Sequence, residues 1–205
     1  MFDARAFARH DESADELFYR QPRFVEHIDD VAVSDVIEIH RRHLPQNGKI
    51  LDLMSSWVSH LPTDVAYANV LGLGMNEAEL AANPRLDSYL VQNLNERPAL
   101  PFEDASFDAA TICVSIQYLT NPIPVLRDLA RVVRTGGEVV ITFSNRCFPT
   151  KAVAIWQAFD SRGHLELVST YLESAGWSGI ETASSLRRFG DPLYSVIALS
   201  PARLR

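Results

Sequence analysis

The sequence lacks most of the features that would narrow its class at once. It has two cysteines, Cys113 and Cys147, in 205 residues. They have no framework of spacings around them, which points to a reduced, cytoplasmic protein. No apolar run approaches the roughly 20 residues needed to span a bilayer, so no membrane association is expected. The opening stretch MFDARAFARHDESADELFYR is too polar to serve as a signal peptide. Long runs of Lys and Arg are also missing. The formal net charge is −7, and RVVRTGG and SLRRF are too short to reverse the case against nucleic-acid binding. No internal repeat and no low-complexity segment is present.

What remains is ordinary globular composition, 47% hydrophobic and 22% charged, in a chain long enough for one domain with a sizeable core. Short apolar runs alternate with longer amphipathic ones. The runs KILDLM (49–54), NVLGLG (69–74), YLVQNL (89–94), FDAATICVS (107–115), GEVVITFS (137–144) and YSVIALS (194–200) read as strands, several apolar throughout as buried parallel strands are. Helical periodicity covers 33–44, 122–134 and 164–177. Pro122 and Pro124 suit a first turn, and Gly176 suits a stop. This alternation predicts a doubly wound α/β sheet, in which ligands sit outside the carboxyl ends of the strands. The loop after Leu53 then stands at the centre of any site.

That loop is MSSWVSHLP (54–62), with hydroxyls, an indole and an imidazole where many α/β enzymes carry glycines. Asp52 either lines the site or caps its strand. Ser55 and Ser56 either bind a ligand carboxylate or cap a following helix. Trp57 is either packing or a stacking platform, and His60 either a general base or a core histidine. His40 and His43 lie on one helix with Arg41 and Arg42 between them and no acidic or thiol partner at ligand spacing. They read as a solvated helix face, and no metal is expected. GLGMNE (72–77) lacks the third glycine of a dinucleotide fingerprint, so a nicotinamide cofactor is disfavoured.

The strings ILDLMSS, VLGLGMNEAEL, LPFEDASFDAATICVSIQYLTNP and LARVVRTGGEVVITFSN resemble, in order and spacing, the class I S-adenosylmethionine-dependent methyltransferases. LPFEDASFDAA and RVVRTGG resemble the type-11 subgroup, and the resemblance spans roughly 45–200. It implies a seven-stranded, mostly parallel sheet with an antiparallel last strand, YSVIALS, and a short sixth, GIETASS (179–185). Residues 45–205 would form one α/β unit, with 1–44 as an N-terminal helical cover. The implied cofactor is S-adenosylmethionine, with S-adenosylhomocysteine as product. The implied partner is a small-molecule acceptor, and the chain would be a monomer or homodimer.

The resemblance implies a cofactor site at Asp52, Met54, Ser55, Ser56, Gly72, Gly74, Asn76, Asn93, Leu94, Asn95, Cys113 and Val114. Around the acceptor it implies His27, Trp57, Asn145 and Arg146, with His60, Gln117 and Tyr118 in catalytic roles. Arg146 would recognise an acidic substrate or pair with an acid of the N-terminal segment. The chain departs from the family pattern at three places. No glycine follows Asp52, Gly74 stands where an acid accepts the ribose hydroxyls, and Asn93 stands where an aspartate is usual. These departures leave an alternative, a catalytically silent fold used as a binding or partner module.

Overall fold

The computed structural model describes residues 3–186 and 190–202. Residues 187–189 of the SLRRF segment lie outside the described residues. Seven strands form one sheet: β1 (Lys49–Ser55), β2 (Asn69–Gly74), β3 (Ser88–Val91), β4 (Ala109–Cys113), β5 (Glu138–Phe143), β6 (Ser178–Ser185) and β7 (Leu193–Leu199). Their order is β3-β2-β1-β4-β5-β7-β6. The first five run parallel, and β7 lies antiparallel between β5 and β6. The central strands read as apolar runs because both faces are covered: Ile50, Leu51, Leu53, Ala109, Ala110 and Ile112 are all fully buried. The edge strands differ from expectation. β3 stops at Val91, and β6 is eight residues long with an exposed pattern.

Six α-helices flank the sheet: α1 (Asp15–Tyr19), α2 (Asp30–His43), α3 (Glu77–Ala82), α4 (Pro122–Val132), α5 (Ala154–Ala158) and α6 (Ser161–Ala175). α2 and α6 each begin three residues before the periodicity predicts, because an aspartate caps them. Asp29 accepts from the Ala32 amide and Asp160 from the Gly163 amide. Gly176 ends α6 in the left-handed conformation, φ +95°, that a side chain would resist.

The histidines of α2 do not form a solvated face. His40 is fully buried, with Nδ1 3.1 Å from the His60 carbonyl oxygen and Nε2 2.8 Å from Thr111 Oγ1. A carbonyl only accepts, so Nδ1 carries the proton and Thr111 donates to Nε2. Burial pushes the imidazole down to about 4, so it is neutral. His43 Nδ1 lies 3.0 Å from Glu138 Oε2. α2 packs against β5 and β7, and that packing turns these positions toward the sheet. Among the described residues, no helix is long and apolar enough to cross a membrane. Nor, among them, does any group of three or more His, Cys, Asp or Glu gather as a metal would need.

The segment before α2 crosses the carboxyl ends of the strands and is held there by charge. Lys151, buried completely, donates to the Ser13 carbonyl at 2.7 Å and lies 3.4 Å from Asp15 Oδ1. Asp15 in turn receives Arg9 at 2.6 Å and Asn95 Nδ2 at 2.8 Å. Removing one member of such a network leaves a buried charge short of a partner, which costs about 3 kcal/mol. Lys151→Met is therefore expected to lower stability by about that amount in urea unfolding, and to expose residues 9–20 to limited proteolysis.

Candidate functional site

The carboxyl ends of β1, β2 and β4, together with the crossing segment, enclose a cleft of about 1190 Å³ counting its mouth to solvent. Its shape is set by the turn that follows β1. Met54 has φ +61°, and the β1–β2 register slips between Leu53 and Ser55. Met54 thus holds the left-handed backbone that glycine adopts freely, at a cost of roughly 1–3 kcal/mol. His60 and Val114 also have positive φ, 48° and 49°, and all three line the cleft.

The slip brings the Ser55 carbonyl against Gly74, so a Cβ on Gly74 would overlap the Ser55 oxygen. The position expected to carry the ribose acid therefore has no room for a side chain. Asn76 caps α3, accepting from the Glu79 amide at 3.1 Å, and donates to the Tyr19 and Arg20 carbonyls. Its amide oxygen is committed to the cap. The acid at this end of β2 is Glu79, one turn into α3, buried and lining the cleft. It accepts from Ser56 Oγ at 2.7 Å and from the Arg23 amide at 2.6 Å. Glu79 was missed in the sequence reading, although Asn76-x-x-Glu79 has the capping-box spacing that would have drawn attention to it.

Asp52 is buried, and its Oδ2 accepts from Ser55 Oγ and Ser59 Oγ, both at 2.6 Å. Burial pushes its carboxyl up to about 6 from 3.8, against the lowering effect of the two hydroxyls. Ser59, also missed, receives Asn83 Nδ2 at 2.8 Å as well. Across the cleft, Asn93 donates to Glu16 Oε1, and Asn95 donates to Asp15 and the Tyr118 carbonyl. Leu73, Leu94 and Leu119 supply apolar walls. Cys113 lines the cleft, but burial pushes its thiol up to about 12, which removes it as a nucleophile at neutral pH. Ser115, not singled out in the sequence, lines the cleft and has a buried hydroxyl with no hydrogen-bond partner among the described residues.

Toward the mouth lie His27, His60, Trp57 and Tyr118. Burial lowers the pKa of both histidines below 6.5. The Tyr118 hydroxyl accepts from the Phe148 amide at 2.8 Å and is pushed up to about 12 by burial. Trp57 Nε1 donates to the Val25 carbonyl at 3.1 Å, pinning the crossing segment. Four expected residues do not line the cleft. Gly72 packs its backbone under Leu86, and Gln117 turns back to the Val114 carbonyl at 3.0 Å. Asn145 is exposed beside Ser144. Arg146 pairs with Asp191 at 2.8 Å, an acid just before β7 and not one of the N-terminal segment.

The strand order and a cleft over β1, β2 and β4 define the class I methyltransferase fold. Residues 54–141 match the family model of the type-11 methyltransferase domain. A demethylmenaquinone methyltransferase from Streptomyces avermitilis is 33% identical over 94 residues, 45% of this chain and 41% of that protein. The chain matches only about a quarter to two fifths of the length of such curated relatives. Among solved structures, the (4+2)-cyclase SpnF superposes with a TM-score of 0.64 at 14% identity, covering 83% of this chain and 82% of that one. Phosphoethanolamine N-methyltransferase 2 of Haemonchus contortus, solved with S-adenosyl-L-methionine, gives 0.60 at 16% identity, covering 82% and 53%. The likeness to the type-11 methyltransferase domain rests on residues 54–141, under half of the chain.

Two outcomes follow from this geometry. Gly74→Asp is expected to destabilise the fold by about 2–4 kcal/mol in urea unfolding rather than to restore a ribose site, because the new Cβ overlaps backbone. For Asp52 the folded pKa lies above the unfolded one, so the folded state binds more protons between about pH 4 and pH 6. Stability is therefore lost as pH rises through that window, reaching about 3 kcal/mol above it. Asp52→Asn is expected to remove that fall and to be the more stable form at pH 7, read from unfolding midpoints of both proteins across pH 3.5–8.

Proposed function

We propose that this protein transfers a methyl group from S-adenosylmethionine to a small-molecule acceptor held beneath the crossing segment. The observation that carries the reading is the cleft itself. It lies at the switch region of the sheet, bears a buried carboxylate with spare lone pairs at Glu79, and holds an orphaned hydroxyl at Ser115. These groups fit a nucleoside: Glu79 is placed to accept from hydroxyls, and Leu73, Leu94 and Leu119 to flank a base. Asp52 with Ser55 and Ser59 holds the first turn rigid. When bound, S-adenosylmethionine supplies an electrophilic methyl group on a sulfonium.

The chain's part in the reaction is to orient and to move a proton. Holding two reactants in line accounts for most of the rate in such a transfer. His60 and His27, both neutral near pH 7, are placed to accept a proton from the acceptor, and Tyr118 stays protonated as a donor. We further infer a cytoplasmic monomer or homodimer without nucleic-acid partners.

A second reading, a silent binding module, draws support from one feature: Asn76 and Glu79 already carry backbone groups of the crossing segment. Calorimetric titration with S-adenosylhomocysteine separates the two. Saturable micromolar binding, weakened roughly tenfold to a hundredfold in Glu79→Ala, is the expected result. No heat at millimolar ligand would favour the silent module.

A further inference from the structure

Arg146 was the cation expected to meet an acidic substrate, and it is spent on Asp191. Another arginine stands in the cleft without an acid. Arg23 is half-buried and lines the cleft. Its Nη2 donates to the Phe18 carbonyl at 2.9 Å, and among the described residues its Nε and Nη1 have no hydrogen-bond partner. The guanidinium carbon lies 4.5 Å from the centre of the Phe18 ring and 5.3 Å from that of Phe148.

The carboxylates nearby are otherwise engaged. Asp15 is neutralised by Arg9 and Lys151. Glu79 takes the backbone amide of Arg23 and the hydroxyl of Ser56, and makes no ion pair with the guanidinium. Glu26 is exposed at the mouth. A partly desolvated cation costs free energy when unpaired, and stacking on aromatic rings offsets only part of that cost. Stacking also holds the fork of donors in one plane, the arrangement that receives a carboxylate through two parallel hydrogen bonds.

We propose that Arg23 anchors a carboxylate of the acceptor, so that the acceptor is a small carboxylic acid with an apolar or aromatic body. The word acceptor rests on the methyl-transfer reading; the carboxylate site does not. The body lies along Phe148 and Tyr118, whose rings are 5.8 Å apart, and brings its reacting atom under His27 and His60. Arg23 lies four residues beyond the acidic α1, and nothing in its immediate sequence distinguishes it from a surface arginine. The stacking that holds its guanidinium beside the cleft comes from Phe18 of α1 and from Phe148, which follows β5.

The test is calorimetry on the full chain with 3-phenylpropanoate and its neutral twin, 3-phenylpropanamide, each with and without S-adenosylhomocysteine. The acid is expected to bind at least tenfold tighter than the amide. Arg23→Gln is expected to erase that preference, and Arg23→Lys, which keeps the charge but not the fork, to retain part of it. Melting curves of both variants check that each is folded. Equal affinities, binding of neither probe, or a preference that survives Arg23→Gln would overturn the proposal. So would a tenfold loss of S-adenosylhomocysteine affinity in Arg23→Gln, which would place Arg23 on the cofactor's own carboxylate. If S-adenosylhomocysteine binds no form while the acid preference stands, the methyl-transfer reading fails and the carboxylate site remains.

Discussion

The contact between the Ser55 carbonyl and Gly74 governs the cleft. It exists because Met54 takes a left-handed turn and slips β1 by one residue against β2. Once that oxygen is there, no side chain fits at the end of β2, and the acid of this region has to come from α3. Glu79 does so from the first turn of that helix, where its carboxylate reaches Ser56 of the same slipped turn.

The crossing segment completes the site through polar groups. Asn76 and Glu79 bond its backbone, Trp57 holds the Val25 carbonyl, and Asn93 and Asn95 hold Glu16 and Asp15. These directional bonds, whose strength depends on water being excluded, act beside ring contacts of Phe18 and His27 with Phe148 and of Phe24 with Trp57. The buried Lys151 network anchors its far end.

Charge inside the cleft is arranged by burial. Desolvation keeps His27 and His60 neutral and pushes Asp52 toward its protonated form. Asp15 is balanced by two cations, which leaves Arg23 without an ion-pair partner among the described residues. The protein spends stability on Asp52 above pH 6, and that cost persists because the two serines it holds shape the turn after β1.

Local patterning was enough to determine the strands, the principal helices, the switch region and the loop around Asp52. Apolar runs, capping aspartates and helix-stopping glycines act within a few residues of one another. The strings LPFEDASFDAA and RVVRTGG carried the resemblance to the family. Side-chain partners across long stretches of chain were decided only by tertiary packing. His40 looked solvated beside two arginines, yet α2 turns it onto Thr111, 71 residues away. Arg146 and Arg23 could not be told apart as anion receptors, because Asp191 captures the first while Phe18 and Phe148 position the second. Glu79 gained its place from the slip of β1 against β2 and from the segment whose Arg23 amide it receives. Periodicity reports which face of an element is buried; it does not report which distant group that face will meet.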